Sequence, residues 1–378
     1  QAATTTPIVT YKKGGTTSYT LNFASAAGTG DALKDATDIT ATGTWTSSQV
    51  GYLKGALGTG TTVDTNATLL TADLSAAVWS AAEVYQLIGL FKNCTALTTV
   101  KLPAGGAPGG ATFSQVFMGC SALQSVTNLS KFTKVSSFNS TFSDCSSLES
   151  VTLSPSGSSA DEVDFSAAFL NCSKLTSIVN IDKFTNVSSF YNAFNGCEAL
   201  QGVTLPEGSS ADDTDFSSAF SGCKALKGIT NLDKFAKASD FASTFRDCEA
   251  LTDVTLPVPA DATKSFSFQY TFSGCTALER IANLGTYKNV SSLYYAFYQC
   301  SNLTYAILGN VPSITTDAFY AVNPNCLKYM PTGTDVSTLP TDWKNVIVGG
   351  KATGDIALKD KYGSDYCPFY CPQAFSMG

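Results

Sequence analysis

The chain has 378 residues, a net charge of −7 and no histidine. Charged residues make up 14 %, against about 25 % in an average soluble protein, and the acidic balance without a basic patch argues against a nucleic-acid partner. Without imidazole the chain lacks the commonest general base, the middle member of the usual serine and cysteine triads, and histidine zinc ligands.

No apolar stretch is long enough to span a bilayer. A chain that begins at Gln1, with no leader before it, is expected to be a mature or trimmed product. Residues 1–15, QAATTTPIVTYKKGG, read as a flexible stalk. Residues 16–86 read as an N-terminal cap with one or more atypical coils. In it TTSYTLNFASAAG alternates like an edge strand, and WTSSQVGYLKGAL predicts a helix over Trp45–Leu57 capped by Thr46 or Ser47. LLTADLSAAVW then predicts a strand, and the whole would shield the open end of the core that follows.

From 87 to 330 the chain repeats with a period of 25–27 residues. The markers are Cys94, Cys120, Cys145, Cys172, Cys197, Cys223, Cys248, Cys275, Cys300 and Cys326. Three residues before nine of them stand Phe91, Phe117, Phe142, Phe169, Phe194, Phe220, Phe245, Phe272 and Phe297. A second phenylalanine column, from Phe113 to Phe319, reads as lying seven residues before the cysteines, and leucines follow three after. A fixed period of this length is the signature of a solenoid. Spacings of four and three put Phe138, Phe142 and Cys145 on one face of a short helical segment, whereas Val151 and Leu153 alternate at strand spacing. The expected fold is therefore an α/β solenoid. It is a right-handed curved stack with short parallel strands on the concave face and short helical segments on the convex face. No unit buries its apolar side alone; stacking buries it continuously.

Two kinds of unit alternate. One follows its strand with a proline or serine corner, as in TLPEGS; the other follows with Asn128, Asn180, Asn231 or Asn283 at the inward position that leucine holds in the first kind. A buried amide needs partners, so each asparagine is expected to tie off backbone groups where the chain leaves the sheet. The cysteines read as small core residues with reduced thiols, since stacked equivalent positions have parallel Cβ vectors unsuited to bridging. Cys367 and Cys371, in YCPFYCP, lie outside the column and could bridge, ligate or stay unpaired. Residues 331–378 read as a C-terminal cap and tail, with Trp343, Val346, Ile347 and Val348 plugging the far end.

The run AFNGCEALQGVTLP, Ala193–Pro206, and AAFLNCSKLTSI resemble the BspA-like leucine-rich repeats of bacterial surface proteins, and the tail TDWKNVIVGGKATGDIALKDKYGSDYCPFYCPQAF looks like the closing segment of such proteins from Bacteroides-type gut bacteria. The resemblance implies a leucine-rich repeat fold. It also implies an exported or cell-surface location, with membrane attachment only through an N-terminal lipid anchor as in an outer-membrane lipoprotein. The implied role is adhesion to a host or bacterial surface protein or glycan.

The outward strand positions are small and hydroxyl-bearing until the last coils, where Asp253, Arg280 and Tyr305 form the candidate partner contact. The acidic corners Asp161, Glu162, Asp164 and Asp212, Asp213, Asp215 lack the spacing of a calcium loop and read as solvated turns. Asp253 is the one acid in the strand row, so no carboxylate pair for glycan hydrolysis is evident. PAGGAPGG lacks the lysine of a phosphate loop. The expectation is a monomeric binding or adhesion module with no catalytic residues, cofactor or metal. A structural spacer is the alternative, and a glycan-processing enzyme the remote one.

Overall fold

The computed structural model describes residues 5–27, 29–59, 65–80, 83–84, 87–207 and 213–349. The tail reading for Lys351–Gly378, with Cys367 and Cys371, lies outside these residues. The chain forms two compact units, Gln1–Ala211 and Asp212–Gly378, each built of stacked coils.

The first unit opens with β1 (Ile8–Lys12), β2 (Tyr19–Asn22) and β3 (Asp38–Trp45). β1 lies antiparallel between the other two, with Val9 opposite Leu21 and Ala41. The segment read as a stalk thus contains a paired strand, because Val9 alternates into the core and is fully buried. Helix α1 (Ser47–Leu57) starts at Thr46, whose hydroxyl accepts from the Gln49 amide while the Gln49 side chain accepts from the Thr46 amide. It stops at Gly58, which takes φ 67°. β4 (Thr71–Trp79) runs parallel to β3, and Thr99–Lys101 and Ser125–Thr127 follow in register, Ala72 beside Val100 beside Val126.

Each later coil contributes a three-residue strand whose central side chain faces in, as Val151 does beside Ile178. A second short parallel ladder, not anticipated from the sequence, runs through Gly110–Thr112, Val135–Ser137, Val163–Asp164 and Val187–Ser189, just ahead of the phenylalanines. The second unit repeats both features: Asp253–Thr255 pairs with Arg280–Ala282, and Phe266–Ser267 with Val290–Ser292. Its last sheet joins Tyr305–Ile307, Leu327–Met330 and Val346–Val348, all parallel. Trp343, 7 % exposed, stands edge-on against Phe319.

The segments carrying Phe–Phe–Cys are chains of turns, not the helices predicted from their spacing. In the first unit Phe113, Gln115, Phe117 and Gly119 each donate their amide to the next coil, at Ser137, Asn139, Thr141 and Ser143. Between them Val116 and Cys120 donate three residues back, to Phe113 and Phe117. An α-helix would keep every amide for its own carbonyls. Here every second amide faces the neighbouring coil, which requires left-handed backbone at Gln115 (φ 57°) and Gly119 (φ 77°). The turn chain still brings residues four and three apart to one side, so the apolar spacing imitates a helix.

That side is the core. Phe91, Phe117, Phe142, Phe169 and Phe194 are at most 1 % exposed, as are Phe220, Phe245, Phe272 and Phe297 in the second unit. Within the first unit successive rings of this column stack at 5.3–5.9 Å. Phe319 stacks on Phe297 at 4.7 Å, so it belongs to this column and not to the outer one; the last cysteine sits after a longer loop.

All ten column cysteines are buried free thiols. Their sulfurs do more than fill space. The Sγ of Cys120, Cys145, Cys172 and Cys197 donates to the carbonyl of Phe91, Phe117, Phe142 and Phe169 of the preceding coil at 3.0–3.1 Å. Cys248, Cys275 and Cys300 do the same to Phe220, Phe245 and Phe272. The Phe117 carbonyl also accepts the Cys120 amide, so both of its lone pairs are used.

Asn128, Asn180, Asn231 and Asn283 adopt φ of 67–71°, a region asparagine tolerates better than other side-chain-bearing residues. They are half-buried rather than buried. The amides of Asn128, Asn180 and Asn283 donate to the carbonyls of Leu102, Leu153 and Leu256 at 2.8–2.9 Å. Replacing Asn180 by alanine should therefore cost about 2 kcal/mol, the sum of a strained φ and an orphaned carbonyl. Asn180→Gly, free of the strain, should cost about half as much. Urea midpoints of the two variants check the order; equal losses would contradict it.

Candidate functional site

The strand side of the second unit holds the sequence-predicted contact residues. Asp253 opens the strand Asp253–Thr255, is exposed, and accepts from the Thr252 hydroxyl at 3.0 Å. Arg280, half-buried, lies beside it in parallel register. Tyr305 is not part of that surface: it is 4 % exposed. Its cross-strand partner is Leu327, larger than the residues at this position in the coils before Tyr305 apart from Arg280, and the pair departs from the open row that the periodicity predicts.

Beside Asp253 the strand Gly228–Thr230 leaves a shallow cleft of about 270 Å³. Its lining includes Gly228, Ile229 and Val254 together with the exposed Lys227, Asp233 and Asp253. A side chain at Gly228 would meet open space, so the glycine sets the depth of the cleft and not a turn. The lining is predominantly polar and carries one cation and two carboxylates, an arrangement that binds chiefly by hydrogen bonding and presents no nucleophile–base pair. Lys227 was not singled out in the sequence because it precedes the strand and falls outside the outward-facing row.

The acidic corners are engaged in turns. Asp164 accepts from the Ser166 amide at 2.8 Å, Asp215 from the Ser217 amide and hydroxyl at 2.7 and 2.6 Å, and Asp213 pairs with Lys264. Hydrogen bonds from Thr263 hold the Asp261 carboxyl below its ordinary value. Burial, with Asp215 a lesser cause, pushes Asp240 up. Among the described residues no three acidic, cysteine or histidine side chains converge as metal ligands. No helix of the described residues is long and apolar enough to cross a membrane.

Departures from the repeat also gather on the turn segments of the second unit, where Tyr270, Tyr294, Tyr295, Tyr298 and Tyr320 form an aromatic cluster. The run SSLYYAFYQC was the available signal: it belongs to the only coil with tyrosine at all three of these places, where other coils carry mostly small or polar residues.

A solenoid of short parallel strands with buried Phe, Leu and Cys columns is a leucine-rich repeat architecture. The BspA-type leucine-rich repeat region matches residues 88–201, 165–271 and 191–326, more than half of the chain, and the chain belongs to that family. No curated protein matches its sequence. Among solved structures, a leucine-rich repeat protein of T. pallidum is 23 % identical, over 56 % of this chain and 80 % of that one, with a TM-score of 0.34. A leucine-rich repeat protein from Bacteroides ovatus is 15 % identical over 72 % and 90 %, TM-score 0.30. A leucine-rich cell surface protein from Faecalibacterium prausnitzii is 18 % identical over 62 % and 82 %, TM-score 0.27.

Proposed function

We propose that the chain is a non-catalytic binding or adhesion module of a bacterial surface, which holds a protein or glycan on the strand side of its second unit. The observation that carries this reading is the cleft beside Asp253: a predominantly polar hollow at Gly228, lined by charged groups of both signs. Family membership supports a repeat protein acting through its surface. The surface location rests on the same family likeness.

Arrays of matrix proteins and surface glycans, probed with the wild type, test it. Gly228→Phe fills the cleft from open space, and Asp253→Ala paired with Arg280→Ala removes one lining carboxylate and the cation beside it in register. Each change should weaken the array ligand at least about tenfold, or about 1.4 kcal/mol, with the fold retained by circular dichroism. Equal binding by wild type and both variants would discard the cleft, and an array without any ligand would favour the spacer role.

A further inference from the structure

The tyrosine cluster follows from neither the core nor the strand-side cleft. Its residues lie on the turn segments of coils between Asp240 and Tyr320, where the repeat itself serves as the control. The position five before the cysteine has left-handed backbone in coil after coil: Gln115, Ser140, Ala167, Asn192, Ser218 and Ser243 occupy it with φ of 50–57°. Small or flexible polar residues suit that conformation. Tyr270 and Tyr295 occupy it too, at 54° and 50°. A bulky ring in this region is strained, and neither ring reaches the full burial of the core phenylalanines, for both are half-buried.

The rings form one continuous surface. Tyr270 and Tyr295 stack at 5.4 Å and Tyr298 and Tyr320 at 5.6 Å, while Tyr294 and Tyr298 each pack against Tyr295. The Arg246 guanidinium lies 5.0 Å from the centre of the Tyr270 ring. Interaction with Asp317 pushes the Tyr295 phenol up, and interaction with Tyr270 pushes the Tyr294 phenol up. Tyr320, at 56 % exposure, ends the row.

We propose that this row is a binding site for an extended neutral polysaccharide. Three features select that chemistry. First, the rings pack against one another in stacked, tilted and edge-on pairs, so the row offers aromatic surface and hydrogen-bonding hydroxyls along a line. Second, rings repeat from coil to coil at 5.4 and 5.6 Å, and a polysaccharide of extended, equatorially linked sugar rings repeats at a comparable interval. Third, the Arg246 cation at Tyr270 is met by Asp247 at 3.6 Å, and Asp317 adds a carboxylate, so the charges at the row are balanced and do not favour an anionic glycan. The site lies on the turn segments and stands apart from the reading of the strand-side cleft.

Affinity electrophoresis of the full chain in gels holding xylan, barley β-glucan or mannan tests the proposal, with chondroitin sulfate and gelatin as the anionic and protein probes. At least one neutral polysaccharide should retard the wild type. The double variant Tyr270→Ser, Tyr295→Ser restores what Ser218 and Ser243 provide in other coils, so it should keep or raise the thermal midpoint while weakening that retardation at least about tenfold. Tyr320→Ala, which removes an exposed ring, should weaken it as well, and Tyr191→Ser in the first unit should not. The proposal is overturned if no neutral polysaccharide retards the wild type. It is also overturned if only chondroitin sulfate or gelatin does, or if the tyrosine variants migrate like the wild type. Because these readings concern only the tyrosine row, they stand or fall separately from the cleft variants.

Discussion

Raising the pH from 9 to 12 is expected to unfold the protein. Burial pushes Cys120 up to about 12, and raises Cys94, Cys145, Cys172, Cys248, Cys275 and Cys300 as well, from an ordinary value of 9.0; neighbouring thiols of the column add a smaller push at Cys94, Cys145, Cys248 and Cys300. Below pH 9 both folded and unfolded chains hold these protons, and the fold is at full strength. Above it the unfolded chain releases protons that the fold retains. Each such thiol then lowers stability by about 1.4 kcal/mol per pH unit until its folded value is reached. Several thiols acting together exceed the roughly 5–15 kcal/mol that holds a typical domain within about one to two pH units. Circular dichroism and thiolate absorbance, followed together along an alkaline titration, should change in one cooperative step. Thiolate appearing near pH 9 while the dichroism stays constant would show that the sulfurs are in water.

Phe142→Ala should cost about 3–5 kcal/mol. Phe142 is fully buried and lies between Phe117 at 5.3 Å and Phe169 at 5.6 Å. Removing the ring leaves a void that neighbours on neither side can close, because each is fixed by its own coil. Coils contact only their neighbours, so the defect should also uncouple the two sides. The urea transition should move to lower midpoint and broaden, since smaller blocks now unfold separately. A loss below about 1 kcal/mol with an unchanged slope would mean that the column does not act as a continuous core.

The buried columns were legible because they depend on which residues recur and at what spacing. Phe142, Cys145 and Leu148 are core on any backbone that brings positions four and three apart to one side. The backbone itself was not legible for the same reason: Gln115 and Ser140 carry no mark that distinguishes a left-handed turn from a helical one. Asn128, Asn180 and Asn283 were read correctly as ties for backbone groups, since a polar residue at an inward leucine position needs partners. At the strand face the reading failed where the pattern changed at the end of the array. Asp253 is exposed as expected, but Tyr305 is buried and paired with Leu327, a residue of a coil whose spacing is interrupted. The cleft was hidden because its depth comes from the absence of a side chain at Gly228, which no residue-by-residue search for chemistry would find.

The asparagine ties bear on how such a chain can lengthen. Each amide reaches the carbonyl of a leucine in the coil before it, whereas the asparagine's own carbonyl already receives the amide three residues on, as Asn180 does from Lys183. An asparagine coil copied next to another would make that carbonyl serve two donors. Gene duplication that copies coils as couples keeps every tie on a leucine carbonyl, so it should disturb the array least.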